Sequence, residues 1–280
     1  MGVLAKFRRK SPKLPRSLVK NWLPLLNLII EINKQILGGD NLVKKYNKKA
    51  VLSGNIIEFY EYEKDIFFGF ECRNEKGRGS NMPNKSEDDK KRYREQVLNR
   101  SRRDIRRLVN SNIEINSKFL TLTFADNVSD LRVSNYEFKK FRQRLEDNLG
   151  IKLQYLAVPE FQKRGAVHYH VIIFNFPYVK NKQLQEIWGN GFVKINKIDS
   201  VDNVGAYVCK YLHKDLDDDR LKGKKCYFTS RGLRKPIEIK EKEQVMELQS
   251  NLPAEKLTYT SEFRSDELGK ITYSQYNLNK

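Results

Sequence analysis

Cysteine is scarce in this chain of 280 residues, which contains only three. Cys72, Cys209 and Cys226 are too few and too widely spaced for a disulfide framework or a zinc ribbon, and a reducing compartment fits this usage. Long apolar runs are also missing. The longest one near the start, residues 23–32, is interrupted by proline, asparagine and glutamate and is too short to span a bilayer. We therefore expect a cytoplasmic protein with no membrane contact.

The chain also lacks segments typical of secretion and of nucleotide hydrolysis. No small-residue cleavage site follows the basic start, so we expect no secretory signal. No internal repeat or low-complexity region is present, and no GxxxxGK(S/T) segment occurs. A P-loop nucleotide-binding site is therefore excluded.

Positive charge is what the sequence has in excess. Lysine and arginine total 54 against 35 acidic residues, a formal net charge of +19. Such an excess attracts polyanions, and nucleic acid is the commonest of them. Charge alone is also consistent with a soluble basic protein that has no particular partner, because it specifies no mechanism.

The first 112 residues are predicted to form a region of their own with three parts. Residues 1–20 are basic and contain prolines, as in a mobile arm, and residues 21–50 contain a short helical pattern that ends near two glycines. An aromatic-rich stretch, 55–72, is typical of a β-hairpin that turns near Lys64 and Asp65. A helix over 90–110 follows, with Ser86 as its N-cap and acidic residues in its first turn.

The helix over 90–110 is crowded with arginines and has a thin apolar stripe. One interpretation is the solvated face of a packed helix, and the other is a helix that follows phosphates. The second interpretation makes Arg100, Arg103 and Arg107 contacts to DNA. The pattern by itself leaves both open.

Residues 113–216 are predicted to form one domain of the α+β class. Strand and helix patterns alternate as βαββαβ with one extra helix, which is the ferredoxin-like arrangement shared with RNA-recognition domains: an antiparallel sheet with helices on one face. The predicted strands are 118–125, 152–160, 167–176 and 191–198, and the predicted helices are 134–148, 181–188 and 203–214. Residues 217–280 form a small extension with a helical stretch near 240–250 and a hairpin of 256–263 with 270–276.

Two of the three histidines in the chain stand two residues apart on a predicted strand. His168 and His170 therefore leave the same face, and two neutral imidazoles at this spacing can hold one divalent metal. Glu160 ends the preceding strand and can add an oxygen ligand, provided that the strand register points it to the same face. Two surface histidines on a hairpin are the alternative.

The strand at 119–124, FLTLTF, alternates between an apolar and a threonine face. We expect the leucines to pack under helices and the threonine face to be open and shared with the histidines. Threonine in a central strand is usually only a good β-former, so Thr121 and Thr123 receive no catalytic role.

Two tyrosines lie four residues apart in the predicted helix at 203–214. Tyr207 and Tyr211 thus project from one face, and Lys210 and Lys214 from the adjacent stripe. A tyrosine hydroxyl has a pKa of about 10, and a nearby ammonium lowers the cost of forming its anion. A packing stripe of tyrosine and leucine is the structural alternative.

Three motifs in this order resemble the HUH superfamily of rolling-circle replication initiators. They are the strand at 119–124, the histidine motif 168–170 (HYH) and the tyrosine motif 207–214 (YVCKYLHK). Two tyrosines separated by three residues look like the two-tyrosine class, found in initiators of single-stranded DNA phages and some plasmids. The resemblance covers about 90–240, and conjugative relaxases differ because their tyrosine precedes the histidines.

The resemblance implies a metal-dependent endonuclease and strand transferase. His168, His170 and Glu160 would hold Mg²⁺ or Mn²⁺ against a phosphate of single-stranded origin DNA, assisted by Lys210 and Lys214. Tyr207 or Tyr211 would attack, leaving a 5′-phosphotyrosine link and a free 3′-hydroxyl that primes synthesis. Basic side chains would contact the DNA, including Lys163 and Arg164 in the turn before the histidines. Without a P-loop, a host helicase and polymerase would be needed.

Two other functions remain open at this stage. A non-catalytic single-stranded nucleic-acid-binding module would use the same sheet, but the first strand has threonines where such modules place stacking aromatics. A transcriptional or partner-binding descendant of an initiator would keep the fold and dispense with a motif, whereas all three motifs are intact here.

Overall fold

The computed structural model describes residues 44–68, 86–198, 205–206, 209, 219–221 and 224–279. Its helices and strands, in chain order, are β1 (Lys44–Ser53), β2 (Ile56–Phe68), α1 (Glu87–Asn112), β3 (Lys118–Phe124), α2 (Leu131–Leu149), β4 (Tyr155–Phe161), β5 (Val167–Ile173), α3 (Asn181–Trp188), β6 (Gly191–Lys197), β7 (Phe228–Thr229), β8 (Ile237–Ile239), α4 (Lys242–Ser250), β9 (Leu257–Ser265) and β10 (Gly269–Asn277). Short 3₁₀ turns cover Asp219–Leu221 and Ala254–Lys256. None of the described helices is long and apolar enough to cross a membrane.

A first sheet combines strands from the two ends of the described chain. Its order is β8-β1-β2-β10-β9, and its neighbouring strands pair antiparallel. The predicted C-terminal hairpin is confirmed as β9 and β10. Strands from the predicted first and last regions therefore share one sheet, while the predicted boundaries near 112 and 216 remain a prediction.

The predicted hairpin within 55–72 is wrong. β2 runs through Lys64 and Asp65 without a turn, and the chain reverses instead at Gly54 and Asn55, between β1 and β2. Gly54 has a φ of +59°, and a Cβ there would lie 2.1 Å from the Asn110 carbonyl oxygen of α1. Glycine is required by both the turn and the close approach of α1. The short helix predicted to end near the two glycines at 38 and 39 lies outside the described residues, and β1 begins after it.

The second sheet has the fold that the sequence predicts for residues 113–216. Its order is β6-β3-β5-β4-β7 and all its pairs are antiparallel. With α2 between β3 and β4, and α3 between β5 and β6, the sheet is a βαββαβ unit, so the ferredoxin-like α+β fold is confirmed.

Each face of the second sheet carries its own apolar cluster. Leu120, Leu122 and Phe124 of β3 are buried against α2 and α3, as the alternation predicts. On the opposite face, Leu98, Ile105 and Val109 of α1 pack on β4 and β5. The two helices of the βαββαβ unit, α2 and α3, thus cover one face as predicted. Helix α1, which precedes this unit in the chain, has enough apolar surface to cover part of the threonine face.

Helix α1 lies between the two sheets, and a buried ion pair fixes it to the first one. The Glu58 carboxylate of β2, 1% exposed, accepts hydrogen bonds from Arg107 Nε at 2.6 Å, Arg106 Nη2 at 2.8 Å and Tyr273 Oη at 3.0 Å. Burial by itself raises the pKa of Glu58, but Arg107 and Arg106 outweigh it and hold that pKa below its ordinary value.

Replacing Glu58 by glutamine is expected to lower the free energy of unfolding by about 3 kcal/mol, because two arginines would lose their carboxylate in a buried site. The matched control is Glu61→Gln on the same strand, whose exposed pair with Lys48 should contribute less than about 1 kcal/mol. Urea denaturation measures both. Equal effects of the two variants would show that the buried pair does not stabilise the fold.

The lowered pKa of Glu58 also predicts an acid dependence. The stabilisation from this carboxylate should be complete above its unfolded pKa of about 4.3, and should be lost as the pH falls through its lower folded pKa. Repeating the denaturation between neutral and acid pH should show a smaller loss of stability in Glu58→Gln than in the parent.

Candidate metal centre and catalytic face

The alternation of β5 separates the two histidines from the residue between them. His168 and His170 point to the α1 side of the second sheet, whereas Tyr169 is buried on the other side. The Tyr169 hydroxyl donates to Asn135 Oδ1 at 2.7 Å and its ring stacks on Phe138 of α2 at 4.9 Å. The tyrosine anchors β5 to the core and so fixes the direction of both imidazoles.

The register of β4 against β5 decides the position of Glu160. Glu160 is paired directly with His168, and Val158 with His170. Glu160 Oε2 lies against the Nε2 atoms of both histidines, and the three donor atoms lie within 4.8 Å of one another. The structure thus brings together the three residues that the sequence predicts as metal ligands, and among the described residues this is the one such cluster.

The three side chains are partly exposed. The two histidines are 13% exposed and Glu160 is 17% exposed. The strands of the sheet hold these three side chains in position, and solvent reaches them from the face that they occupy. Its donors, two imidazole nitrogens and one carboxylate oxygen, are those that proteins use for divalent transition metals with positions left open for substrate.

Two residues of β3 position His170. The Phe119 ring stacks on the imidazole at 5.4 Å with an interplanar angle of 22°. Thr121 Oγ1 lies 3.4 Å from His170 Nδ1, a long hydrogen bond of the kind that orients a metal-binding imidazole. The sequence predicts no catalytic role for Thr121. The missing information was the pairing of Thr121 with His170, since sequence alone does not give the register.

The threonine face is open at one end and covered at the other. Ile172 and Leu156 belong to the cluster that packs on α1, and Phe119 is packed against it. Val158, which is paired with His170, also belongs to this cluster, and Glu160 and His168 form the next pair on the same face, beyond the cover. The expectation of a wholly open face is therefore corrected, and the accessible part is the end that carries the three candidate ligands.

The five predicted DNA contacts fall into different surroundings. Arg100 and Arg103 are exposed on α1, and Lys163 is exposed in the turn between β4 and β5. Arg107 is buried, and its guanidinium is bound to Glu58 and to the Tyr60 hydroxyl. A guanidinium held by a buried carboxylate cannot reach phosphate without leaving it, so the structure argues against Arg107 as a DNA contact.

Arg164 stabilises the turn before the histidines. Its Nη1 donates to the Ala125 carbonyl oxygen at 2.9 Å, its Nη2 to that of Phe124, and its Nε to Gln162 Oε1 at 3.0 Å. The side chain is exposed, so a contact with DNA remains a prediction beside this structural role.

The catalytic tyrosines and lysines predicted at Tyr207, Tyr211, Lys210 and Lys214 lie outside the described residues. Gly205, Ala206 and Cys209 are described, and all three are helical.

These described neighbours are held against α1. The Gly205 amide donates to Asn110 Oδ1 at 2.7 Å, and a Cβ on Gly205 would lie 2.3 Å from the Arg106 carbonyl oxygen. Burial raises the pKa of Cys209 to about 11. The thiol therefore stays protonated near neutral pH and is not a nucleophile.

The part of the chain that matches known proteins contains the histidine motif and the tyrosine motif. Residues 117–216 match the family described as replication-associated protein ORF2/G2P. The chain is 26% identical over 121 residues to "Replication-associated protein ORF4" of Chlamydia phage 1, which covers 34% of this chain and 30% of the relative. It is 29% identical over 131 residues to "Phasyl DNA replicon protein arp" of Escherichia coli, which covers 36% of this chain and 45% of the relative.

The chain thus spans less than half the length of the two curated relatives that it matches. No solved structure matches it. The matched segment holds the βαββαβ sheet and Glu160, His168 and His170. Over residues 117–216 the chain is similar to the ORF2/G2P family of replication-associated proteins, and the resemblance to phage and plasmid replication initiators that its motifs indicate is confirmed.

Proposed function

We propose that this protein initiates rolling-circle replication of a phage or plasmid by nicking single-stranded origin DNA and rejoining DNA ends. The observation that carries the proposal is the convergence of Glu160, His168 and His170 on the accessible end of the sheet. The similarity to replication-associated proteins and the tyrosine motif at 207–214 support it.

The three ligands suit a divalent cation that acts on a phosphate. A cation held by these residues would polarise a phosphate oxygen and make the phosphorus more electrophilic. Magnesium prefers oxygen ligands, whereas a set with two imidazole nitrogens favours manganese. Of the two predicted cofactors, we therefore expect Mn²⁺ to bind more tightly than Mg²⁺.

Tyr207 and Tyr211 are the proposed nucleophiles, because they are the two tyrosines of the motif at 207–214. The hydroxyl oxygen of one tyrosine bonds to phosphorus, and the bond from phosphorus to the 3′-oxygen breaks. The products are a 5′-phosphotyrosine link and a 3′-hydroxyl, which primes synthesis. The second tyrosine repeats the cleavage after one round, and the free 3′-hydroxyl resolves the first link. Lys210, and with it Lys214, stabilises the tyrosinate or the phosphate.

The positive charge supplies affinity for the substrate. With a net charge of +19, the protein is attracted to single-stranded DNA before any specific contact forms. Arg100, Arg103 and Lys163 are exposed and available to contact phosphates. Because the chain has no P-loop segment, we propose that a host helicase unwinds the DNA and a host polymerase extends the 3′-hydroxyl.

Single-stranded DNA that carries the origin of the protein's own replicon should form a covalent adduct with the protein in the presence of Mn²⁺. The adduct should resist SDS and should disappear in EDTA and in the double variant Tyr207→Phe, Tyr211→Phe, since both proposed nucleophiles are then missing. Gel electrophoresis after denaturation measures it. Each single variant identifies the tyrosine that attacks first.

The matched control for this test is Tyr178→Phe, because Tyr178 is 88% exposed and lies outside the candidate site. It should form the adduct at the parent rate. Tight binding of origin DNA without any adduct would favour the non-catalytic binding module.

Mn²⁺ binding should depend on the three ligands even without DNA. His168→Ala, His170→Ala and Glu160→Gln should each weaken Mn²⁺ binding by about tenfold or more, because each alanine removes an imidazole nitrogen and the glutamine removes the charge of the carboxylate. Titration calorimetry or the loss of the free Mn²⁺ resonance measures this. Glu262→Gln is the matched control, since Glu262 is an exposed strand carboxylate of the first sheet. Unchanged affinity in all three ligand variants would remove the metal centre from the proposal.

A further inference from the structure

Strand β6, at the edge of the second sheet, presents an exposed aromatic ring. Its buried positions alternate with exposed ones, so Val193 packs in the core while Phe192, Lys194 and Asn196 face outward. Phe192 is 65% exposed. Single exposed apolar residues are common on proteins, so the position of this ring, and not its exposure, is informative.

The register places Phe192 in line with the candidate metal ligands. Phe192 is paired with Thr123, Thr123 with His168, and His168 with Glu160. Since paired strands lie about 4.8 Å apart, the backbone of Phe192 is about 10 Å from that of His168, across one strand. Phe192 and the candidate ligands therefore share one face of the sheet.

The residues between Phe192 and the histidines are small. β3 contributes Thr123 and Thr121 to this face, and Lys194 is paired with Thr121. The two threonines of β3 thus lie between the Phe192 ring on one side and the imidazoles of β5 on the other. The ammonium group of Lys194 lies beside Thr121, one same-face pair along from Phe192. A single nucleic-acid strand combines flat bases with phosphates, which are the groups that an aromatic ring and an ammonium recognise.

The backbone before Phe192 is fixed against the end of β3. The Trp188 indole donates to the Thr123 carbonyl oxygen at 3.1 Å, and the Ala125 amide donates to the Asn190 carbonyl oxygen at 2.8 Å. Gly191 has a φ of +144°, and a Cβ there would lie 2.4 Å from the Thr123 carbonyl oxygen. Only glycine permits this approach, and it fixes the backbone from which the Phe192 side chain leaves the sheet before any ligand binds.

We propose that Phe192 is a stacking platform for one base of the single DNA strand that crosses the metal face, and that Lys194 binds a phosphate of the same strand. The identity of the strand rests on the proposed function. The occupant is single-stranded DNA and not duplex, because a paired base does not offer its face to a ring. The base on Phe192 belongs to a nucleotide near the phosphate at the metal ligands.

The first test is the affinity for a mixed-sequence, fluorescently labelled single strand, measured by anisotropy in EDTA. Phe192→Ala should bind about tenfold more weakly, and Phe192→Trp should retain the parent affinity, because stacking tolerates any aromatic ring and any base. The control is Tyr136→Ala, which removes a ring that is 55% exposed on α2, on the opposite side of the sheet. An unchanged affinity in Phe192→Ala would overturn the stacking role.

A second measurement separates stacking from a general loss of affinity. One abasic site is moved along the strand, and each oligonucleotide is titrated with the parent and with Phe192→Ala. At one position the abasic site should weaken the parent about tenfold and leave Phe192→Ala unaffected, because the two changes remove the same contact. Equal losses in both proteins at every position would contradict the proposal.

Lys194→Gln should reduce the slope of log affinity against log salt by about 0.7, the value for one phosphate contact on a single strand. An unchanged slope would contradict the role of Lys194.

The use of EDTA makes these tests independent of nicking. If the tyrosine adduct fails to form but Phe192→Ala still weakens binding, the stacking site stands and the catalytic proposal falls. If Phe192→Ala instead abolishes a dimer in sedimentation equilibrium and leaves DNA affinity unchanged, the face serves a second copy of the chain and the proposal is overturned.

Discussion

The antiparallel pairing of β4 with β5 is the interaction on which the candidate site depends. It sets Glu160 opposite His168, and a slip of one residue would turn the carboxylate into the core. Tyr169 prevents such a slip from below, because its ring stacks on Phe138 and its hydroxyl is bound to Asn135. The burial of one side chain between the two histidines therefore secures the three donor atoms on the accessible face.

Helix α1 gives that face its boundary. Its Ile105 and Val109 pack on the second sheet, and its Arg107 binds Glu58 of the first sheet. Its Asn110 side chain accepts a hydrogen bond from the Gly205 amide. One helix thus contacts both sheets and the segment that leads into the tyrosine motif. Its arginines differ in their surroundings: Arg107 is buried and binds Glu58, whereas Arg100 and Arg103 are exposed to solvent, and their contact with DNA stays a prediction.

The structure changes the meaning of the threonine strand. In the sequence, Thr121 and Thr123 are ordinary β-formers, and threonines at positions where base-binding modules place stacking aromatics argue against a surface that binds bases. In the fold, Thr121 reaches His170, and Thr123 separates His168 from the exposed ring of Phe192. The exposed ring of Phe192 stands on the neighbouring edge strand β6. The alternation along β6 predicts that this ring is exposed, but it does not predict which residues of the adjacent strands lie beside it.

The sequence alone determined the ferredoxin-like fold, the pair His168 and His170, and the order of the motifs, because these follow from periodicity and spacing along the chain. It misplaced the hairpin of the first sheet, since Gly54 and Asn55 turn the chain earlier than the aromatic run indicates. Only the tertiary structure decided three features: the alignment of Glu160 and Phe192 with His168, the packing of α1 on part of the threonine face, and the burial of Arg107. Each of these depends on contacts between residues far apart in the chain, whose register the local pattern does not contain.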